Sequence, residues 1–203
     1  LMNTGGITQD LIRFARLLLG YIRGGLGHAT ILACAIFAAI SGSAVATAVA
    51  IGVVMIPAMT KAGYDEDVAA ALTCTASCMG PIIPPSIPFI IYGVTANVSI
   101  GALFLGGVFP GLVLGVALMT YMYFVSVQRN YPRDVKPPSR ELLVATFKAI
   151  PALFMPFLIL GGILSGMFTP TEAAGVSVVY SLIVGAFLYR RLNFRNQIGR
   201  AHV

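Results

Sequence analysis

The chain has 203 residues, of which 58% are hydrophobic and only 10% charged, with a formal net charge of +6. Soluble domains carry about 25% charged residues, so this composition excludes a soluble globular domain and fits a protein embedded in a bilayer. The positive charge does not indicate nucleic-acid binding, because its bases sit in short islands flanking apolar segments, as the positive-inside rule requires.

Residues 1–27 read as an interfacial amphipathic helix. Within them, 8–23 place Arg13, Arg16 and Arg23 at spacings of three and seven, with Leu11, Ile12, Phe14, Ala15, Leu18 and Leu19 supplying apolar surface. Gly24-Gly25-Leu26-Gly27 ends that helix. Leu1–Gly6 read as the exit from a preceding helix. Residues 28–59 follow as two apolar arms, 29–40 and 44–59, separated by Ser41-Gly42-Ser43. Arms of 12 and 16 residues fall short of the roughly 20 needed to span. They suit a re-entrant hairpin that turns at mid-depth.

Residues 60–101 begin with a mixed island (Lys61, Asp65, Glu66, Asp67) and continue as a broken transmembrane helix over 68–96. Pro81, Pro84, Pro85 and Pro88 each lack a backbone donor and clash with the carbonyl four residues earlier. The carbonyls of Ser77, Gly80, Pro81 and Pro84 therefore lose their helical partners. Irregular backbone at membrane depth persists only where protein or a watery cavity covers it, and broken helices are how secondary transporters build ion and substrate sites. Residues 102–127 form a spanning helix that Pro110 and several glycines allow to kink. Residues 128–148 are a basic cytoplasmic loop with Arg129, Arg133, Lys136 and Arg140. Residues 149–197 hold two spans, 149–168 and 173–189. The last residues, 198–203, read as a translated sequencing-adapter artefact. With 28–59 re-entrant and 68–96 crossing, every basic cluster falls on the cytoplasmic side.

The hairpin tip and the break carry the candidate chemistry. Ser43 can cap the helix starting at Ala44, whose free N–H groups and positive dipole end favour a carboxylate. Hydroxyls of Ser41 and Ser43, with the freed carbonyls, are oxygen donors suited to a hard cation. Thr47 lies one turn past Ser43 and faces the same point, and Gly42 allows two backbones to approach. The plainer reading of the serines is helix packing. Ser77, Ser86, Tyr92 and Asn97 are the polar residues of the broken segment, with Ser86 the strongest candidate; the plainer reading of Thr73, Thr75 and Tyr92 is hydrogen bonding to their own helices or to neighbours. Substrate contact is thus expected at Ser43, Thr47, Pro85 and Ser86. Sodium is expected at Ser41, Gly42, Ser43, Ser77, Gly80, Pro81 and Pro84, partly through carbonyls. Thr169-Pro170-Thr171-Glu172 reads as a capping box with proline at the first helical position. Cys34, Cys74 and Cys78 read as small packing residues.

An intramembrane serine protease would need a base beside Ser43 or Ser86. His28 lies about 20 Å by helical rise from Ser41, so no enzyme is expected. A channel-like or structural membrane module is the other alternative.

The motifs Leu1-Met2-Asn3-Thr4-Gly5-Gly6-Ile7-Thr8, Ile40-Ser41-Gly42-Ser43-Ala44-Val45-Ala46, Gly80-Pro81-Ile82-Ile83-Pro84-Pro85-Ser86-Ile87-Pro88, Ser99–Phe104 and Phe168–Ala174 resemble the large membrane subunit of tripartite ATP-independent periplasmic (TRAP) transporters. The resemblance covers residues 1 to about 197. It implies an all-α, elevator-type secondary transporter with inverted repeats and re-entrant hairpins, in the bacterial inner membrane. It implies sodium as coupling ion, no organic cofactor, and an organic acid as substrate. A periplasmic substrate-binding protein and a small membrane subunit would be its partners. The second hairpin and second broken helix are expected outside this chain, which then holds the first repeat's site and the start of the second repeat.

Overall fold

The computed structural model describes residues 7–134 and 137–185, and no strand occurs among them. The helices are α1 (Ile7–Leu19), α2 (Gly25–Ser41), α3 (Ala44–Lys61), α4 (Glu66–Ser77), α5 (Ile87–Thr95), α6 (Ile100–Gln128), α7 (Ser139–Leu164) and α8 (Pro170–Ile183). Three of them, α3, α6 and α7, are long and apolar enough to cross a bilayer. The expected tail at 198–203 lies outside the described residues.

Helix α2 is the centre of the bundle and touches α1, α3, α4, α6 and α7. It can do so because Ala29, Ala33, Cys34 and Ala38, all fully buried, keep its surface thin. In hydrocarbon, small residues let helices approach closely where no hydrophobic drive exists between them. α2 and α3 are joined by Gly42-Ser43 and run back against each other. Thr30, near the start of α2, donates from Oγ1 to Leu26 O at 2.8 Å and lies 3.3 Å from Met59 Sδ near the end of α3. The arms have 17 and 18 residues, longer than the sequence reading, because Gly25–His28, Ser41 and Thr60-Lys61 extend the helices past the apolar runs. α4 lies against both arms, and α5 lies against α6.

Helix α1 is two-faced as its pattern requires. Leu11 and Ala15 are fully buried between α2 and α7, while Arg13 and Arg16 face outward. Helix α7 starts at Ser139, inside the segment read as a basic loop. Arg140, Glu141 and Lys148 interrupt the apolar run but sit on its exposed face, while Ala145 and Ala149 are buried. Glu141 in the first turn also suits the helix dipole. At α8 the predicted capping box is present: Thr169 Oγ1 accepts from Glu172 N at 3.3 Å, and Glu172 Oε2 accepts from Thr169 N at 2.7 Å.

Candidate functional site

The break is real and occupies residues 78–86, between α4 and α5. The chain turns tightly there, through a cis Pro84–Pro85 peptide. The hairpin tip is docked onto it. Gly42 sits at φ 61°, and a Cβ there would come within 2.7 Å of Pro85 O. A Cβ on Gly80 would come within 2.6 Å of Ser43 C and 2.8 Å of Ala44 N. Each glycine thus admits the backbone of the other element, and Ile87 N donates to Gly42 O at 3.4 Å across the junction. The sequence places tip and break at one site; the glycine-to-backbone fit between them is visible only in the structure.

The hydroxyls at this junction are oriented by their bonds. Thr47 Oγ1 donates to Ser43 O at 2.8 Å, and Ser41 Oγ lies 3.0 Å from Thr47 Oγ1. Since the Thr47 hydrogen is used, Ser41 is the donor of that pair. Ser86 Oγ donates to Pro81 O at 2.7 Å and accepts from Phe89 N at 3.4 Å. Thr47 and Ser86 are fully buried, where an unmade hydrogen bond would cost about 1–3 kcal/mol. With the hydrogens of Thr47 and Ser86 spent on carbonyls and that of Ser41 on Thr47 Oγ1, all three present lone pairs. That arrangement favours a cation or a hydrogen-bond donor, not an anion.

Backbone amides supply the anion-binding character. Ser43 caps α3 as predicted, its Oγ accepting from Ala46 N at 3.4 Å. Thr47 N donates to Ser43 O and Ser43 N to Ser41 Oγ. Among the described residues no bond takes up the amides of Ala44 and Val45. At α5, by contrast, Ile87, Phe89 and Ile90 amides are all used and Pro88 has none. The two helix starts are therefore unequal, and only that of α3 has donors to offer.

The carbonyls released by the prolines divide likewise. Ser77 O accepts from Gly80 N at 2.9 Å and Pro81 O from Ser86 Oγ, whereas Gly80 O and Pro84 O have no hydrogen bond among the described residues. Ser77 itself turns away from the tip. Its Oγ donates to Thr73 O at 2.7 Å and lies 3.8 Å from Cys34 Sγ, in the middle of α2. Pro84 lines an apolar cavity of about 300 Å³ with Ile36, Ala39, Leu112 and Phe157. Ser41, Pro85 and Ser86 instead line a cavity of about 230 Å³ closed by Met155 and Ile159 of α7 and Ser177 of α8. Ser177 was not foreseen, since nothing in the sequence ties α8 to the tip. No charged side chain lines that cavity, and no cluster of metal-ligating side chains occurs among the described residues.

A family model described as the tripartite ATP-independent periplasmic transporter DctM component matches residues 1–201. The chain belongs to the DctM family. It is 47% identical over 196 residues to the sialic acid TRAP transporter permease protein SiaT of Haemophilus influenzae, covering 96% of this chain and 32% of that protein. It is 46% identical over 189 residues to the C4-dicarboxylate TRAP transporter large permease protein DctM of Vibrio cholerae (93% and 42%). It is 41% identical over 194 residues to the 2,3-diketo-L-gulonate TRAP transporter large permease protein YiaN of Escherichia coli (96% and 46%). The chain spans about a third to under half the length of these relatives. They are permease subunits, not enzymes, as the sequence reading expected. The protease geometry fails as well: His28, at the opposite end of α2 from Ser41, has its Nδ1 3.0 Å from Gly24 O. Membership of DctM, with three helices of spanning length and character, makes this a multi-pass membrane protein.

Proposed function

We propose that this chain carries one half-site of a sodium-coupled importer of organic acids, working by an elevator-type movement in the bacterial inner membrane. A periplasmic binding protein would deliver the acid, and a small membrane subunit would complete the permease; both follow from the tripartite family. The observation that carries the reading is the docking of the Gly42 tip on the Gly80–Ser86 break. It gathers the lone pairs of Ser41, Thr47 and Ser86, the open carbonyl of Gly80, and the open amides of Ala44 and Val45, while the open carbonyl of Pro84 belongs to the same loop. Oxygens of this kind suit a hard cation, and a carboxylate would sit at the amides with the cation offsetting its charge. The ligands for sodium are then Ser41, Gly42, Ser43, Gly80, Pro81 and Pro84, with Ser77 supporting them through its carbonyl bond to Gly80. The acid meets the open amides at the Ser43 cap, beside Pro85, whereas Thr47 and Ser86, expected at the acid from the sequence, turn lone pairs outward and serve the cation instead.

Uptake by the complete permease in proteoliposomes, supplied with its binding protein, tests this. Transport should follow an imposed sodium gradient. Equal uptake on a proton gradient without sodium would overturn it. The re-entrant course of 28–59 is tested by cysteine labelling: positions 26–28 and 60–67 should react from the same, cytoplasmic side.

A further inference from the structure

Next to the basic end of α1 lies a pocket of about 490 Å³ lined by Arg13, Arg16, Leu17, Asp134, Pro137, Pro138 and Glu141. It holds charges of both signs, and they are not equally committed. Arg16 is spent on Asp134, Nε to Oδ2 at 2.7 Å. Arg13 on α1 and Glu141 in the first turn of α7 are exposed, and among the described residues neither side chain has a hydrogen-bond or ion-pair partner. One open guanidinium and one open carboxylate therefore face a single pocket of ligand size. Further along α7 from Glu141, Val144 and Phe147 stand exposed, at 46% and 69%. A polar pocket with paired charges thus tops an apolar wall. The helix beneath it, α1, has the two-faced character of an element at the membrane interface.

We propose that this pocket binds a zwitterionic phospholipid with an ethanolamine headgroup. Arg13 holds the phosphate, for which a guanidinium is well shaped. Glu141 accepts from the primary ammonium, which has three N–H donors. The acyl chains lie over Val144 and Phe147. A choline headgroup offers Glu141 no donor. A glycerol headgroup leaves the carboxylate beside an anion with no cation of its own. The bound lipid joins α1 to the start of α7 at their outer surfaces.

The test is native mass spectrometry of the complete permease, purified after incubation with equimolar phosphatidylethanolamine, phosphatidylcholine and phosphatidylglycerol. Phosphatidylethanolamine should be retained preferentially. Glu141→Gln should lower its retention about fivefold, the effect of one charge-assisted bond, without lowering phosphatidylcholine retention. Arg13→Ala should lower retention of all three. Arg13→Lys, which keeps the charge and any structural role, should keep most of the binding. Equal retention of the three lipids, preference for phosphatidylglycerol, or no change in Glu141→Gln would overturn the proposal. So would binding of soluble phosphoethanolamine without lipid retention, since the ligand would then be a solute. None of these readouts depends on transport.

Discussion

The two ends of the hairpin are built on opposite principles. At the tip, two elements meet through glycines and share one long hydrogen bond, Ile87 N to Gly42 O at 3.4 Å. The hydroxyls there bond within their own element. At the base, the contacts between elements are side-chain contacts. Tyr64 stacks on Tyr131 with centroids 4.2 Å apart, and Tyr131 Oη donates to Asp65 Oδ2 at 2.7 Å. Arg129 also pairs with Asp65, and Arg16 with Asp134, whose amide donates to Gly20 O at 2.8 Å. Residues 129–134 are thereby fastened to the hairpin base and to α1. The lesson is that the base fixes where the hairpin stands, while the tip is left with shape fit and unspent oxygens. The second arrangement is the one the proposed ion site calls for.

The comparison is broken most severely at Gly80. Gly80→Leu would drive a side chain into the backbone of Ser43 and Ala44, which cannot yield as a flexible side chain does. Overpacking of this kind costs about 1–3 kcal/mol. The variant should insert in the membrane yet lose uptake altogether, with a lowered melting temperature in detergent. Retention of wild-type transport would show that the docking of tip and break is incidental.

Replacing Pro84 and Pro85 together with Ala should have the next largest effect, and mainly on function. Each Pro costs about 3 kcal/mol against Ala in a helix interior, so the break is free to heal and reclaim the carbonyls of Gly80 and Pro81. Melting temperature should hold while sodium-dependent uptake is lost. Uptake near normal would make the break a packing feature.

The smallest effect belongs to the base. Hydrogen bonds from Tyr131, then Arg129, hold the Asp65 carboxyl below its ordinary value. A depressed carboxylate contributes stability above its unfolded value and loses it as pH falls through the folded one. Thermal stability should therefore decline slightly below about pH 4, and Asp65→Asn should flatten that decline. An exposed pair of this kind adds little, and uptake at neutral pH should be unchanged in Asp65→Asn.

What was legible in the sequence was what lies close along the chain. Ser43 capping Ala44, Thr47 facing Ser41, the proline break and the Thr169–Glu172 box all rest on residues within one or two turns. The base was not legible because its partners are remote: Asp65 with Arg129, Arg16 with Asp134, Tyr64 with Tyr131. No local pattern marks such pairs. The early start of α7 was hidden because Arg140, Glu141 and Lys148 look like a loop until one face of the helix is seen to be outside. Ser77 was placed at the ion by its position before Pro81, but helix rotation turns it to Cys34.

The sodium dependence of uptake in Thr47→Val and Tyr131→Phe, in the complete permease, tests the contrast most directly. Thr47→Val keeps the side-chain shape but removes the oxygen that orders Ser41. Tyr131→Phe removes one hydroxyl from the base. The half-saturating sodium concentration should rise about fivefold or more in Thr47→Val, as loss of one buried hydrogen-bonding group implies, and stay at the wild-type value in Tyr131→Phe. An unchanged sodium requirement in Thr47→Val, or an equal rise in both, would contradict the assignment of the ion site to the tip.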